Sequence, residues 1–100
     1  MATTTKALAR IAAATTSTTL YTVPSATTTV VTNIVVTNTA ATAATFTITL
    51  DGVALFTTTA IAANTTAMFD LKQVLATTKI IAGLASAVTV NFHISGVEIA

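Results

Sequence analysis

One hundred residues make a single domain, long enough to bury roughly two-thirds of the surface that its unfolded chain exposes. Charged side chains supply 7% of the chain, against about 25% in ordinary soluble domains, and Lys6, Arg10, Lys72 and Lys79 set against Asp51, Asp70 and Glu98 leave a net charge of +1. This excludes a basic patch able to neutralise a row of phosphates, so nucleic acid is not an expected partner. The absence of cysteine excludes a disulfide framework and thiolate metal binding.

Threonine makes up roughly a quarter of the residues and alanine roughly a fifth, which gives a neutral, hydroxyl-rich surface. So little charge fits a protein covered by neighbouring copies or by another protein. The mean hydropathy is +0.84, yet Thr, Asn or a charge interrupts every stretch before about 18 apolar residues accumulate, and no membrane span is expected. The opening MATTTKALARIAAATT has Lys6 ahead of an alanine-rich run, but Arg10 breaks that run, so it does not read as a signal peptide.

Residues 1–16 read as an extended N-terminal arm, and residues 17–100 as one β-sandwich domain. Leu20 to Val23 is a short strand that Pro24 ends, because proline donates no ladder hydrogen bond. The central strand is Thr29 to Asn38, TVVTNIVVTN. Five of its ten residues are β-branched aliphatics and three are threonine, whose stiff χ1 angles suit a pleated surface. Strict alternation places Val30, Thr32, Ile34 and Val36 on one face and Val31, Asn33, Val35 and Thr37 on the other.

Alternation is cleanest in Thr45 to Leu50, with Phe46, Ile48 and Leu50 facing the core and Thr45, Thr47 and Thr49 facing out. Asp51-Gly52 then forms a hairpin turn, with Val53 to Phe56 as the return strand. Thr57 to Thr59 breaks the pattern and Asn64 begins another turn. Thr65 to Leu71 is extended, with Met68 and Asp70 opposite Ala67, Phe69 and Leu71, and a short helical turn is placed at Leu71 to Leu75. Lys79 to Ala82 is a strand and Gly83 to Ala87 a turn. Val88 to Ile94 is a strand with Val88, Val90, Phe92 and Ile94 inward, followed by a kink at Ser95-Gly96. The fold class is therefore all-β, an antiparallel sandwich of seven to nine short strands.

No constellation specifies a chemistry, so no catalytic, cofactor-binding or metal-binding residue is assigned and the chain is not expected to be an enzyme. His93, the single histidine, reads as a surface or interface residue, because catalysis or metal binding needs partners that hold the ring. Asp51 reads as a hairpin residue, Asp70 as a strand-end or turn residue, and Glu98 as a charge that discourages edge pairing. The glycosylation triplet Asn64-Thr65-Thr66 is a chance match in a threonine-rich chain. Threonine at every second position from Thr45 to Thr49 is the ordinary wet face of a strand, in preference to an ice-ordering array.

Five strings together carry a resemblance: LYTVP at Leu20 to Pro24, ATTTVVTNIVVTN, ATFTITLDG, IAANTT and the closing VNFHISGVEIA. Taken with the MATT start, they resemble a group of small structural proteins of tailed-phage particles. The segment between Leu50 and Ile61 is shorter than in that group's pattern, where a longer loop joins the strands. The resemblance implies a virion structural protein, made in the host cytoplasm and used in many copies. The leading expectation is a capsid decoration, or cement, protein, a homo-oligomer with a trimer favoured, seated on the outside of the shell against the major capsid protein. The arm of residues 1–16 would then reach over a neighbouring subunit. A tail, neck or fibre component is the alternative. A carbohydrate- or receptor-binding module is a second alternative, for which Tyr21 is the only tyrosine and tryptophan is absent.

Overall fold

Threonine and β-branched aliphatics in period-2 alternation leave the chain little choice but extended structure. The computed structural model describes residues 2–100 and contains eight strands. These are β1 (Thr3–Ala12), β2 (Thr18–Thr22), β3 (Thr28–Asn38), β4 (Ala44–Leu50), β5 (Val53–Ile61), β6 (Thr65–Leu75), β7 (Ile80–Ala85) and β8 (Val90–Ile99). They form two four-stranded antiparallel sheets packed as a sandwich, ordered β1-β8-β3-β6 (sheet A) and β2-β7-β4-β5 (sheet B).

The pairings are nested. β1 pairs β8, β2 pairs β7, β3 pairs β6 and β4 pairs β5. This is one long antiparallel ribbon folded around itself, the topology of a jelly roll. Its closed tip is the Asp51-Gly52 hairpin, where φ is +54° and +75°, the two consecutive positive values that a type I′ turn requires. At its open end Ala2 and Ala100 exchange two backbone hydrogen bonds.

The inner faces supply the core, in which Phe46, Phe92, Ile34, Ile48, Ile81 and Ile94 are fully buried. All four phenylalanines meet there. Phe46 lies with ring centroids 5.6, 6.2 and 6.3 Å from Phe56, Phe69 and Phe92, and Phe56 lies 4.5 Å from Phe69. Phe46 and Phe56 belong to sheet B, and Phe69 and Phe92 to sheet A. The cluster therefore rivets the layers together near their β5 and β6 edges.

A crease crosses sheet A where the registers shift. Ser95 and Gly96 are consecutive in β8, but their partners in β3 are Asn33 and Val31, and those of Asn33 and Val31 in β6 are Asp70 and Gln73. One residue, Thr32, is thus inserted in β3, and two, Leu71 and Lys72, in β6. β1 inserts Leu8 on the other side of β8. A bulge bends a strand and shifts its side-chain phase. The single insertion in β3 moves the buried set from Thr29 and Val31 to Ile34 and Val36, which corrects the strict alternation expected from Val30 to Val36.

Gly96 lies at the centre of this crease. A Cβ there would collide with the Val30 carbonyl oxygen and lie 2.9 Å from Leu8 Cδ1.

Several other expectations are corrected. Residues 3–12 are not a free arm but the edge strand β1. Its backbone is extended as expected, yet it pairs along its length with β8, a partner at the far end of the chain that local pattern cannot reveal. Met1 lies outside the described residues. The strand at Thr57 to Thr59 does not end but bulges, with φ of +45° at Thr58, whose N–H donates to Thr47 Oγ1 at 2.9 Å. No helical turn forms at Leu71 to Leu75, because β3 supplies a strand partner there. Gly83 to Ala85 continue β7, since β4 pairs with all three residues, and the turn moves on so that Val88 is exposed.

Candidate functional site

Polar side chains gather at two places inside the sandwich, one near each end. At the first, Asn38 closes β3 with its side chain fully buried. Its Nδ2 donates to the carbonyls of Thr42 at 2.8 Å and Ala62 at 3.3 Å, while its Oδ1 accepts from the Ala40 N–H at 3.1 Å and the Thr89 hydroxyl at 3.2 Å. One side chain thereby ties together the β3–β4, β5–β6 and β7–β8 connections. Asn64 completes the tie from a left-handed turn, φ +50°, by donating its N–H to the Ala40 carbonyl at 2.9 Å.

At the other end Tyr21 of β2 reaches across from sheet B. Its hydroxyl donates to Glu98 Oε2 on β8 and accepts from the Thr29 hydroxyl of β3 at 2.8 Å. Lys6 of β1 closes the group with an ion pair to Glu98 at 3.3 Å. Glu98 is therefore corrected: it does not guard an edge, because β8 lies between β1 and β3 and the carboxylate turns inward toward Tyr21. Four strands from two layers meet on it.

The electrostatics follow from this arrangement. Burial first, and then the bond to the Glu98 carboxylate, push the Tyr21 hydroxyl from 10.0 up to about 12, with the Thr29 bond opposing. The Tyr21 bond chiefly holds the Glu98 carboxyl below 4.5, assisted by Lys6 and opposed by burial. A folded-state pKa above the unfolded value means that neutral Tyr21 stabilises the fold at every pH below 10, and that this contribution is lost as pH rises toward 12. For Glu98 the shift is opposite, so its contribution is present above the unfolded value near 4.5 and is lost as pH falls below it.

Tyr21 is the only tyrosine and there is no tryptophan, so near-ultraviolet tyrosinate absorbance reports this one group. Its midpoint in the folded protein is expected near 12. Tyr21→Phe should lower stability at neutral pH by about 2 kcal/mol and flatten the alkaline limb of the stability profile between pH 10 and 12. A midpoint at the ordinary value would show that the bond to Glu98 does not persist in solution.

The residues singled out in the sequence are not brought together. His93 faces outward on β8 between Arg10 of β1 and Val35 of β3, with no carboxylate in either paired position. Asp51 occupies the hairpin turn and lies 3.6 Å from Lys79. Asp70 is corrected from a strand end to the middle of β6. Asn64 is exposed in its turn, as are Thr65 and Thr66 at the start of β6. Thr45, Thr47 and Thr49 face outward as expected, but Thr47 Oγ1 accepts the bulged Thr58 N–H, which interrupts any free row of hydroxyls. Among the described residues no group of three His, Cys, Asp or Glu side chains is arranged to hold a metal ion, and no buried polar side-chain atom lacks a partner.

Two open grooves meet at Thr32 on the crease. One, of about 570 Å³, is lined by Thr32, Asp70, Leu71 and Lys72; the other, of about 400 Å³, runs past Arg10, Ser95 and Val97. The Thr32 hydroxyl donates to the Ser95 carbonyl at 3.3 Å and not to Asp70. The sequence reading missed Asn38 and the meeting of Tyr21 with Glu98. Glu98 carried a local signal, a charge between the apolar Val97 and Ile99, whereas Asn38 stands between two threonines and carried none. No protein-family model matches the chain, and a search of curated proteins finds no match.

Proposed function

We propose that this chain is a structural protein of a tailed-phage particle, a decoration protein that binds the outside of the shell in many copies and stabilises it. The observation that carries the reading is that each string resembling that group coincides with a residue on which the jelly roll depends. LYTVP contains Tyr21, the valine-rich strand ends on the buried Asn38, and ATFTITLDG closes on the type I′ hairpin. IAANTT holds the left-handed Asn64, and the closing string holds Gly96 and Glu98. The strings that carry the resemblance thus fall on residues that hold this chain's own fold, which supports a part used for its shape.

The jelly roll is also a fold of capsid and lectin domains, an analogy of fold and not of site. Between those two uses, the inward placement of every aromatic favours the first, since a sugar platform requires an exposed ring. Low charge and hydroxyl-rich outer faces suit surfaces that are covered after assembly.

The test is the copy number of this protein relative to the major capsid protein in purified particles, by quantitative mass spectrometry. A ratio of the same order as the shell subunits is the expected result. A handful of copies per particle would assign it to the tail, neck or fibre. Absence from the particle would overturn both assignments, and a positive glycan array would then favour the carbohydrate-binding alternative.

A further inference from the structure

The sandwich has four strand edges, and they are protected unequally. β2 is only five residues long and β5 is interrupted at Thr57 and Thr58, so sheet B offers no long regular edge. In sheet A, β1 is interrupted at Leu8 and carries only positive charges, Lys6 and Arg10. β6 differs. It is eleven residues long and, of the four edges, alone carries both signs of charge; Leu71 and Lys72 are inserted relative to β3 and Gln73 is exposed, but an insertion of two keeps its outward row in phase. Ala67, Phe69, Leu71 and Leu75 turn inward, and Thr66, Met68, Asp70, Lys72 and Val74 turn outward.

The outward row is complementary to itself about Leu71. One step away on either side stand Asp70 and Lys72; three steps away stand Met68 and Val74, which are 76% and 68% exposed. The other acidic residues are occupied within the chain, Glu98 by Lys6 and Asp51 by Lys79, whereas Asp70 and Lys72 have no ion-pair partner among the described residues.

We propose that two copies of this chain associate edge to edge through β6, antiparallel about a two-fold axis at Leu71, so that sheet A runs continuously through both. A two-fold axis normal to the sheet keeps each face on its own side. It sets Asp70 of one copy opposite Lys72 of the other, and Met68 opposite Val74, each pairing occurring twice. Val35 lies beside Met68 and Val30 beside Val74 within each copy, so an apolar row crosses the junction. The backbone donors and acceptors on the open edge of β6 gain partners in the same step. A two-fold assembly takes the place of the trimer favoured from sequence, and it stands independently of the virion reading.

The test is the mass of the full chain in solution by light scattering over a concentration series, with twice 10.1 kDa expected. Asp70→Lys alone, or Lys72→Asp alone, sets like charges opposite each other at two places and should raise the dissociation constant roughly tenfold to a hundredfold. The double variant Asp70→Lys/Lys72→Asp restores opposite charges and should restore the dimer, and an equimolar mixture of the two single variants should pair with each other. Circular dichroism checks that each variant stays folded. Because the chain has no cysteine, Leu71→Cys should yield one disulfide, between copies, on oxidation. A wild-type monomer, a trimer, or a double variant no tighter than the singles overturns the proposal. A dimer that is absent from phage particles would uphold it while overturning the virion reading.

Discussion

Replacing Asn38 with alanine is expected to lower the free energy of unfolding by about 3–5 kcal/mol, a large share of the total for a domain of this size. The effect exceeds that of an ordinary hydrogen-bond deletion because four partners lose their bonds together. The carbonyls of Thr42 and Ala62, the Ala40 N–H and the Thr89 hydroxyl all point at one buried side chain. Removing it leaves a small cavity lined by unsatisfied polar groups. Asn38→Asp should be similarly costly, since a carboxylate keeps the two accepted bonds but cannot donate to the two carbonyls and brings a charge into a buried site. Urea denaturation of the two variants beside the parent is the measurement. A loss below about 1 kcal/mol for alanine would mean that backbone bonds such as Asn64 N–H to the Ala40 carbonyl hold the three connections unaided.

Gly96→Ala is expected to cost about 3 kcal/mol or more, at the upper end for an added methyl group. The obstacle is the Val30 carbonyl, part of the β3 backbone, which has no rotamer to escape into; Leu8 Cδ1 blocks the other side. Either β3 or β8 has to move, and both are interior strands of sheet A. Ser95→Ala, one residue away on the outer face of the same strand, is the control and should change stability by no more than about 0.5 kcal/mol. If both substitutions are equally mild in thermal and chemical unfolding, the two strands do not approach as closely as the crease requires.

The two sites differ in how far they could be read in advance. The bend at Ser95-Gly96 was anticipated, because glycine within an alternating strand marks a bulge or a close backbone approach. Its direction was not, since the insertions fall on Leu8, Thr32 and Leu71-Lys72, in strands that neighbour it only after folding. Asn38 read as the end of a strand, which it is. Nothing local shows that it is buried, because burial there depends on three connections that lie up to 51 residues away and converge on it.

Tyr21 and Glu98 make the same point with charge. They are 77 residues apart, and neither carries a pattern that names the other. From sequence, Glu98 reads as a late strand charge that discourages edge pairing. The nested pairing puts the last strand inside the sheet and the first strand at its edge, so the end of the chain is not the edge of the sheet.

What the sequence determined by itself is the class of fold, the inward placement of Phe46 and Ile48 in β4 and of Val90, Phe92 and Ile94 in β8, and the Asp51-Gly52 hairpin. These follow from side-chain alternation, β-branching and the tolerance of particular residues for positive φ, all of which act over a few residues. Which strand pairs with which, where the insertions fall, and which polar groups meet between the layers were decided only by the tertiary structure. A local pattern states that a residue faces inward, but what it faces depends on how the ribbon closes on itself.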